Sequence, residues 1–301
     1  MSTVFRSDSR DLLQDGINAV IGLEQLSIKP AWRDIFPEEG SEKAYEEEVM
    51  MKGTEAAATK AEGAGILYGT MHQTYKSRYT HSTVALGLKF TEEAIEDNLY
   101  LSLGSEGARS MMTSMNFTKE VRRANVLNFS QDSNFPGGDG VSLLNTAHPL
   151  GNGSTLSNLL ATPAQLSESA MEELQIQIAQ WTDEAGIPRE WMVKKLVVPE
   201  QLKYVAYRLL KSQYQPDTDL NNVNALNVSG DNPSMPSVNR YLTSSTRWFF
   251  TTNCRNGLKA FSRIPLTKKM EGDFETGDLR MKLRERYSEG WTNPRGLAGS
   301  G

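Results

Sequence analysis

The chain has 301 residues, 38% hydrophobic and 23% charged, which is enough apolar material for one large or two moderate cores and unlike a disordered composition. A formal net charge of −5 argues against a chain whose main task is gripping nucleic acid, while leaving room for one basic face. The lone Cys254 excludes an internal disulfide or a cysteine-rich zinc site, three scattered histidines argue against a His-based metal centre, and no stretch reads as a membrane span or signal peptide.

A reducing, cytoplasmic site of synthesis is therefore expected, and the mean hydropathy of −0.48 points to extended, wet or intersubunit segments. Residues 1–50 offer one short amphipathic helix, Leu12 to Ile21. They then drift through Pro30 and Pro37 into an acidic run that ends at Glu46-Glu47-Glu48. Such a run buries little alone and reads either as an arm lying across another surface or as a solvated face. From 53 to 65 the chain is small and flexible. Val84, Leu86, Leu88 and Phe90 then alternate with Ala85, Gly87 and Lys89, the period of a half-buried strand. The simplest reading of 51–90 is a long two-stranded excursion that needs a neighbour to lie on, since an isolated hairpin is marginal in water.

The next stretch, 91–129, reads as a spine helix. Thr91 is a candidate N-cap with Glu92 and Glu93 in the first turn, and Ile95, Leu99, Leu103, Ala108, Met111, Met112 and Met115 form an apolar stripe. The stripe slips in phase after Met115, and Gly104 and Gly107 are the places where the helix is expected to kink or split. A turn cluster follows at 134–140, then a short strand at Val141 to Leu144. Met171, Leu174, Ile178 and Trp181 mark a helical face, with Ser169 and Glu172 at capping-box spacing, an earlier start at Thr162-Pro163 as the alternative, and Gly186 and Pro188 as the stop. Met192 to Val198 reads as a strand, and Pro199 at N1 opens a helix carrying Leu202, Val205, Ala206, Leu209 and Leu210. Residues 213–240 are polar loops, and Arg247 to Thr252 is a buried strand. In the last strand Leu279, Met281, Leu283 and Tyr287 alternate with Arg280, Lys282, Arg284 and Arg286, broken only by Glu285.

The ordered set of an arm, a long loop feeding Thr91 to Tyr100, a spine helix, an α+β unit containing Lys195 to Glu200, and an ending Arg286 to Gly296 resembles the major capsid proteins of tailed bacteriophages with the Hong Kong 97 fold, of the Mu-like major head subunit type. The resemblance implies an α+β fold with an N-arm at 1–50, an E-loop at 51–90, a peripheral domain at 91–150 and 261–301, and an axial domain at 151–260. It further implies hexamers and pentamers closing into an icosahedral head around double-stranded DNA. The expected partners are a separate scaffold protein, a portal and a decoration or cement protein, with the virion as the final location and the host cytoplasm as the place of assembly. Because the chain begins directly with the arm, and with Met1, a separate scaffold is favoured over a cleaved extension. Two rivals are an encapsulin-type compartment shell and a soluble hydrolase or transferase with an unrecognised site.

No catalytic, cofactor-binding or metal-ligating residue is assigned. The basic strand face at Arg280, Lys282, Arg284 and Arg286 is a candidate for phosphate contact, against a solvated face or cross-strand pairs with Glu271, Asp273 or Glu275. Acidic residues 38–48 are candidates for pairing with Lys76, Arg78 or Arg122-Arg123 of a neighbour, and Lys60 or Lys76 for the isopeptide crosslink of some relatives. His148, lacking a recognisable nucleophile or acid, reads as a structural histidine in a turn, and Cys254 as inert. Gly137-Gly138-Asp139-Gly140 lacks the ending of a phosphate-binding loop. Removing 54–80 is expected to spare the subunit and abolish closed shells.

Overall fold

The structure, a computed structural model, describes residues 30–91, 100–214, 222–230, 235–273 and 275–300, with Gly22, Glu93, Asn232 and Pro233. The helix expected at Leu12 to Ile21, the proposed turns around Ile95 and Leu99, and the side chain of Leu103 lie outside the described residues.

Two four-stranded sheets meet at a shared apolar cluster, where Leu258, Ala260 and Trp291 of the first pack with Val197, Phe249 and Leu297 of the second. In the first the order is β1 (Glu38–Gly40), β10 (Leu258–Gly272), β11 (Leu279–Trp291) and β4 (Ser82–Phe90), with β1 parallel to β10 and the other pairs antiparallel. The long helix α1 (Tyr100–Asn128) packs on its inner face, setting Ala108, Met111, Met112 and Met115 against Val84, Leu88, Met270, Met281 and Leu283. At 1.5 Å per residue its described length is about 43 Å. It does not split at its glycines. Gly107 instead lets the helix come close to β4, where an added Cβ would lie 2.9 Å from Leu88.

The apparent slip after Met115 is also resolved. The buried stripe continues through Glu120, Arg123, Ala124 and Leu127, so two charged residues occupy positions where the pattern called for apolar ones. They hold the N-terminal turn Ala31–Asp34. Glu120 Oε1 accepts the Ala31 N–H at 2.7 Å, and Arg123 lies 3.4 Å over the Trp32 ring while pairing with Glu38 at 2.7 Å. Burial pushes the Glu120 carboxyl above its ordinary 4.5, opposed by the Ala31 and Trp32 N–H groups. The folded chain then keeps a proton that the unfolded chain has already lost. This site's contribution is therefore fullest below the ordinary value and is lost as pH rises through the raised one. Glu120→Gln is expected to flatten that decline, read as melting temperature against pH from the acid side to neutrality; an unchanged slope would locate the titration elsewhere.

Glu285, which breaks the alternation of β11, is buried on the inner face and paired with Lys119 of α1 at 2.5 Å. The second sheet runs β12 (Leu297–Ser300), β9 (Trp248–Thr252), β7 (Val193–Val198), β8 (Ser237–Val238). Its unbroken apolar runs arise because both faces are covered. Leu196, Val198, Trp248 and Phe250 meet α2 (Glu168–Ala179) and α3 (Lys203–Lys211), whereas Val197, Phe249 and Leu297 meet Trp32, Leu127, Leu144 and Trp291. Several boundaries differ from expectation. Ser167, not Ser169 or Thr162, caps α2, which ends at Ala179, well before Gly186. Pro199 precedes a 3-10 turn, Glu200–Leu202, and α3 starts only at Lys203. The stretch 141–144 is irregular: Leu143 and Leu144 are buried there, but Leu144 N–H bonds to the Ser130 carbonyl in a turn rather than in a ladder. The polar region after 213 includes a short helix, α4 (Ala225–Val228), capped by the fully buried Asn224. Strands β5 (His148–Pro149) and β6 (Thr155–Leu156) form a two-residue antiparallel ladder.

Candidate functional site

The excursion is built differently from the expected hairpin. Its ladder joins β2 (Tyr45–Lys52), drawn from the acidic run, to β3 (His72–Thr80), and the alternating strand β4 leaves it to pair with β11. Acidic residues therefore read as a strand here because their partners are basic: Glu47 bonds Lys76 at 3.3 Å and Arg78 at 2.6 Å. The cation pairs expected across a subunit boundary are thus made within the chain, as are Glu38–Arg123 and Arg122–Glu289, the latter at 2.7 Å. The Arg78 guanidinium holds the Glu47 carboxyl below its usual range.

The root of this hairpin is locked. Tyr79 and Thr292 hydroxyls share a 2.5 Å hydrogen bond, Tyr75 donates to the Thr292 carbonyl at 3.0 Å, and Thr292 Oγ1 donates to Glu48 at 2.8 Å. Lys259 closes the network against Glu48 and Glu39. Beyond Lys52 and His72 the character changes. Residues 53–71 form no strand, and Ile66, Leu67, Tyr68 and Met71 are open to solvent, Tyr68 at 83% of its free exposure. That is the largest run of exposed apolar side chains among the described residues, a pattern that marks an interaction surface.

The second feature is the outer face of β4, β11 and β10. Arg280, Lys282 and Arg284 do project together, with Lys269 beside Lys282 and Gly87 on its other side. Part of the face is neutralised: Arg280 is taken by Asp273 and Lys89 by Asp278, whose carboxyl is lowered mainly by that lysine. Lys269, Lys282 and Arg284 have no carboxylate partner among the described residues. Lys269 and Lys282 stand directly opposite in the ladder, an arrangement that repels unless an anion lies over it. Lys60 lies in the open loop, and Lys76 is held by Glu47.

His148 is fully buried. An acid does orient it, contrary to the sequence reading: Asp139 Oδ2 lies 2.6 Å from Nδ1, while Nε2 faces Asn158 Oδ1 at 3.3 Å. Among the described residues no hydroxyl or thiol hydrogen-bonds to the ring. Asn158 in turn donates to the carbonyls of Leu143, Pro294 and Leu297, so the cluster ties the chain's end to the turn after α1. Gly137 and Gly138 serve close packing, since a Cβ at Gly137 would sit 2.1 Å from the Trp291 ring. Burial pushes the Cys254 thiol up to about 12, which leaves it inert at neutral pH. Among the described residues no cluster of His, Cys, Asp and Glu could hold a metal ion, and no helix is long and apolar enough to cross a membrane.

The sequence model of the family described as phage capsid protein matches residues 74–300. No curated protein matches significantly. A solved structure from Microbacterium phage Oxtober96 is similar over 91% of this chain and 92% of its own, with 13% identity and a TM-score of 0.56. A virus-like particle from Pyrococcus furiosus is similar over 95% and 98%, with 8% identity and a TM-score of 0.53. The procapsid of bacteriophage JBD30 is similar over 99% of this chain and 76% of its own, with 13% identity and a TM-score of 0.52.

Proposed function

This chain belongs to the phage capsid protein family, and from that premise we propose how its parts divide the work of a shell. It is a major capsid protein with the Hong Kong 97 fold, a structural protein that self-associates to form the head. The hydrolase or transferase reading is displaced, and the encapsulin-type reading falls behind the phage one.

In our proposal residues 1–50 are the arm and 51–90 the loop that clasps a neighbour, with its ladder starting back at Tyr45. Residues 91–150 and 261–301, with α1 and most of β10 and β11, form the peripheral part and 151–260 the axial part. Leu297–Ser300, at the far end of the chain, lends its strand to the axial sheet. Hexamers and pentamers closing into an icosahedral head are the assemblies proposed, guided by a separate scaffold and completed by a portal and a decoration protein in the host cytoplasm. The enclosed polyanion is double-stranded DNA, met without base contacts; Lys269, Lys282 and Arg284 are the side chains with charge to spare for phosphates.

The observation that carries the proposal is the locked root and open apolar tip of the hairpin. A tip that finds no packing in its own chain finds it on another, and contacts that repeat by rotation close into rings. Electron microscopy and light scattering on the purified protein, alone and with its candidate scaffold, test this directly. Closed shells of tens of nanometres, or rings of five and six, are expected; a uniform monomer or dimer under both conditions would refute it.

A further inference from the structure

We infer that the outer face of the first sheet holds a discrete phosphate site, a cleft in which Lys269 and Lys282 grip one phosphate group beside the gap left by Gly87. This deepens the reading of that face as a phosphate contact and rests on it, but it does not depend on how the chain assembles.

The strand register lays the site out. Lys269, Lys282 and Gly87 form one row across β10, β11 and β4. Glu271, Arg280 and Lys89 form the row on one side of it, and Thr267, Arg284 and Ala85 the row on the other. These side chains share a face because alternate residues of a strand point the same way. Lys282 therefore stands at the centre, with Lys269 opposite and Arg280 and Arg284 two positions away along its own strand. Gly87 puts no side chain on its remaining flank, which opens Lys282 to a ligand. A cavity of about 480 Å³ lies at this row, lined by Gly87 and both lysines.

Charge decides what fits. Asp273 and Asp278 reach back from the turn to pair with Arg280 and Lys89, and Glu275 of that turn pairs with neither lysine among the described residues. Glu271, the one carboxylate of the three rows, stands opposite Arg280 rather than beside either lysine. Lys269, Lys282 and Arg284 thus face a single carboxylate, and two positive charges remain. Two of these cations oppose each other directly in the ladder, where like charges repel. A phosphate group carries one negative charge in a diester and close to two when free, on several acceptor oxygens. One group can accept from both ammonium groups at once, so that two charge-assisted hydrogen bonds replace the repulsion. The phosphodiester of double-stranded DNA and inorganic phosphate offer this same chemistry.

Melting of the purified chain in inorganic phosphate, against sodium chloride of equal ionic strength, is the first arm of the test. A saturating rise of roughly 2–4 °C is expected. Phosphate also stabilises proteins by exclusion from their surfaces, so the diagnostic is Lys282→Gln. That variant should lose the saturating rise. In chloride it should melt no lower than the unaltered chain, because it ends the repulsion. A short DNA duplex titrated by fluorescence anisotropy is the second arm. Lys282→Gln is expected to weaken its binding about threefold and to lower the salt slope by about one. A loss on Lys282→Gln with either probe supports the site, and the probe affected names the source of the phosphate. The site is overturned if neither probe distinguishes Lys282→Gln from the unaltered chain. It is equally overturned if the variant melts lower in chloride, since the lysine would then serve the sheet alone. Lys269→Gln, with the same expectations, covers the case in which the first variant fails to fold. A chain that answers phosphate but forms no rings or shells removes the shell reading and leaves this site standing; shells without a phosphate or duplex response overturn the site alone.

Discussion

Replacing residues 54–70 by two glycines, so that Gly53 and Met71 are joined by that short link alone, is expected to leave a folded subunit that no longer closes into shells. The register makes the excision clean, because Lys52 and His72 are already ladder partners. Ile66, Leu67 and Tyr68 bury little within the chain, so the melting temperature should move by only about a few degrees. Between copies the same three side chains are worth about 1.5–3 kcal/mol each when covered, so their loss weakens each contact by roughly a thousandfold or more. Thermal melts and micrographs of the one preparation read both effects. Normal shells would show that the tip clasps nothing. The wider removal of 54–80, which the sequence suggested, is not an equivalent test. It takes out Tyr79, 3% exposed and bonded to Thr292, and would unfold the root.

The second large effect belongs to Arg295. It is fully buried, bonded through Nη1 to Glu184 at 2.9 Å and through Nε to the Thr182 carbonyl at 2.8 Å, while Glu184 also accepts the Gly151 N–H at 2.8 Å. Three segments distant in sequence meet at this one ion pair. Arg295→Met leaves a carboxylate buried without its counter-charge and is expected to cost about 3–5 kcal/mol. The double change Arg295→Met with Glu184→Met removes both charges and should recover a large part of that loss. Urea unfolding of the two variants separates the cases: equal losses would mean that the arginine acts through packing alone.

How much of this was legible depended on where the signal lay. The alternation in 84–90 and 279–287 and the methionine stripe of α1 marked the first sheet and its covering helix, because one face of each is apolar and the other is not. The helix lost its signal after Met115 since Glu120 and Arg123 are buried although polar, and hydropathy cannot tell a buried titratable side chain from one on a solvent face. The strand Tyr45–Lys52 was hidden for a related reason. Its side chains alternate between half-buried and exposed, but three consecutive glutamates mask the period, and the basic strand that explains them is thirty residues away. The acid beside His148 sat in a glycine-rich stretch that read only as a turn without the ending of a phosphate-binding loop. Leu297–Ser300 was too short and small to announce a strand, yet it completes the second sheet.

A fixed root with a compliant tip has one more consequence. A closed shell built from a single sequence must seat identical chains at sites of different local curvature, so some distances between neighbours cannot be constant. In this subunit the strands that set orientation are pinned by Thr292, Tyr79 and Lys259, and residues 53–65 and 69–71, which form no strand, link them to the apolar stretch at 66–68. The slack sits in the tether, where stretching or folding it changes little free energy. In the proposed shell the same apolar stretch can then reach a flat neighbour or a bent one, and the core is spared the strain.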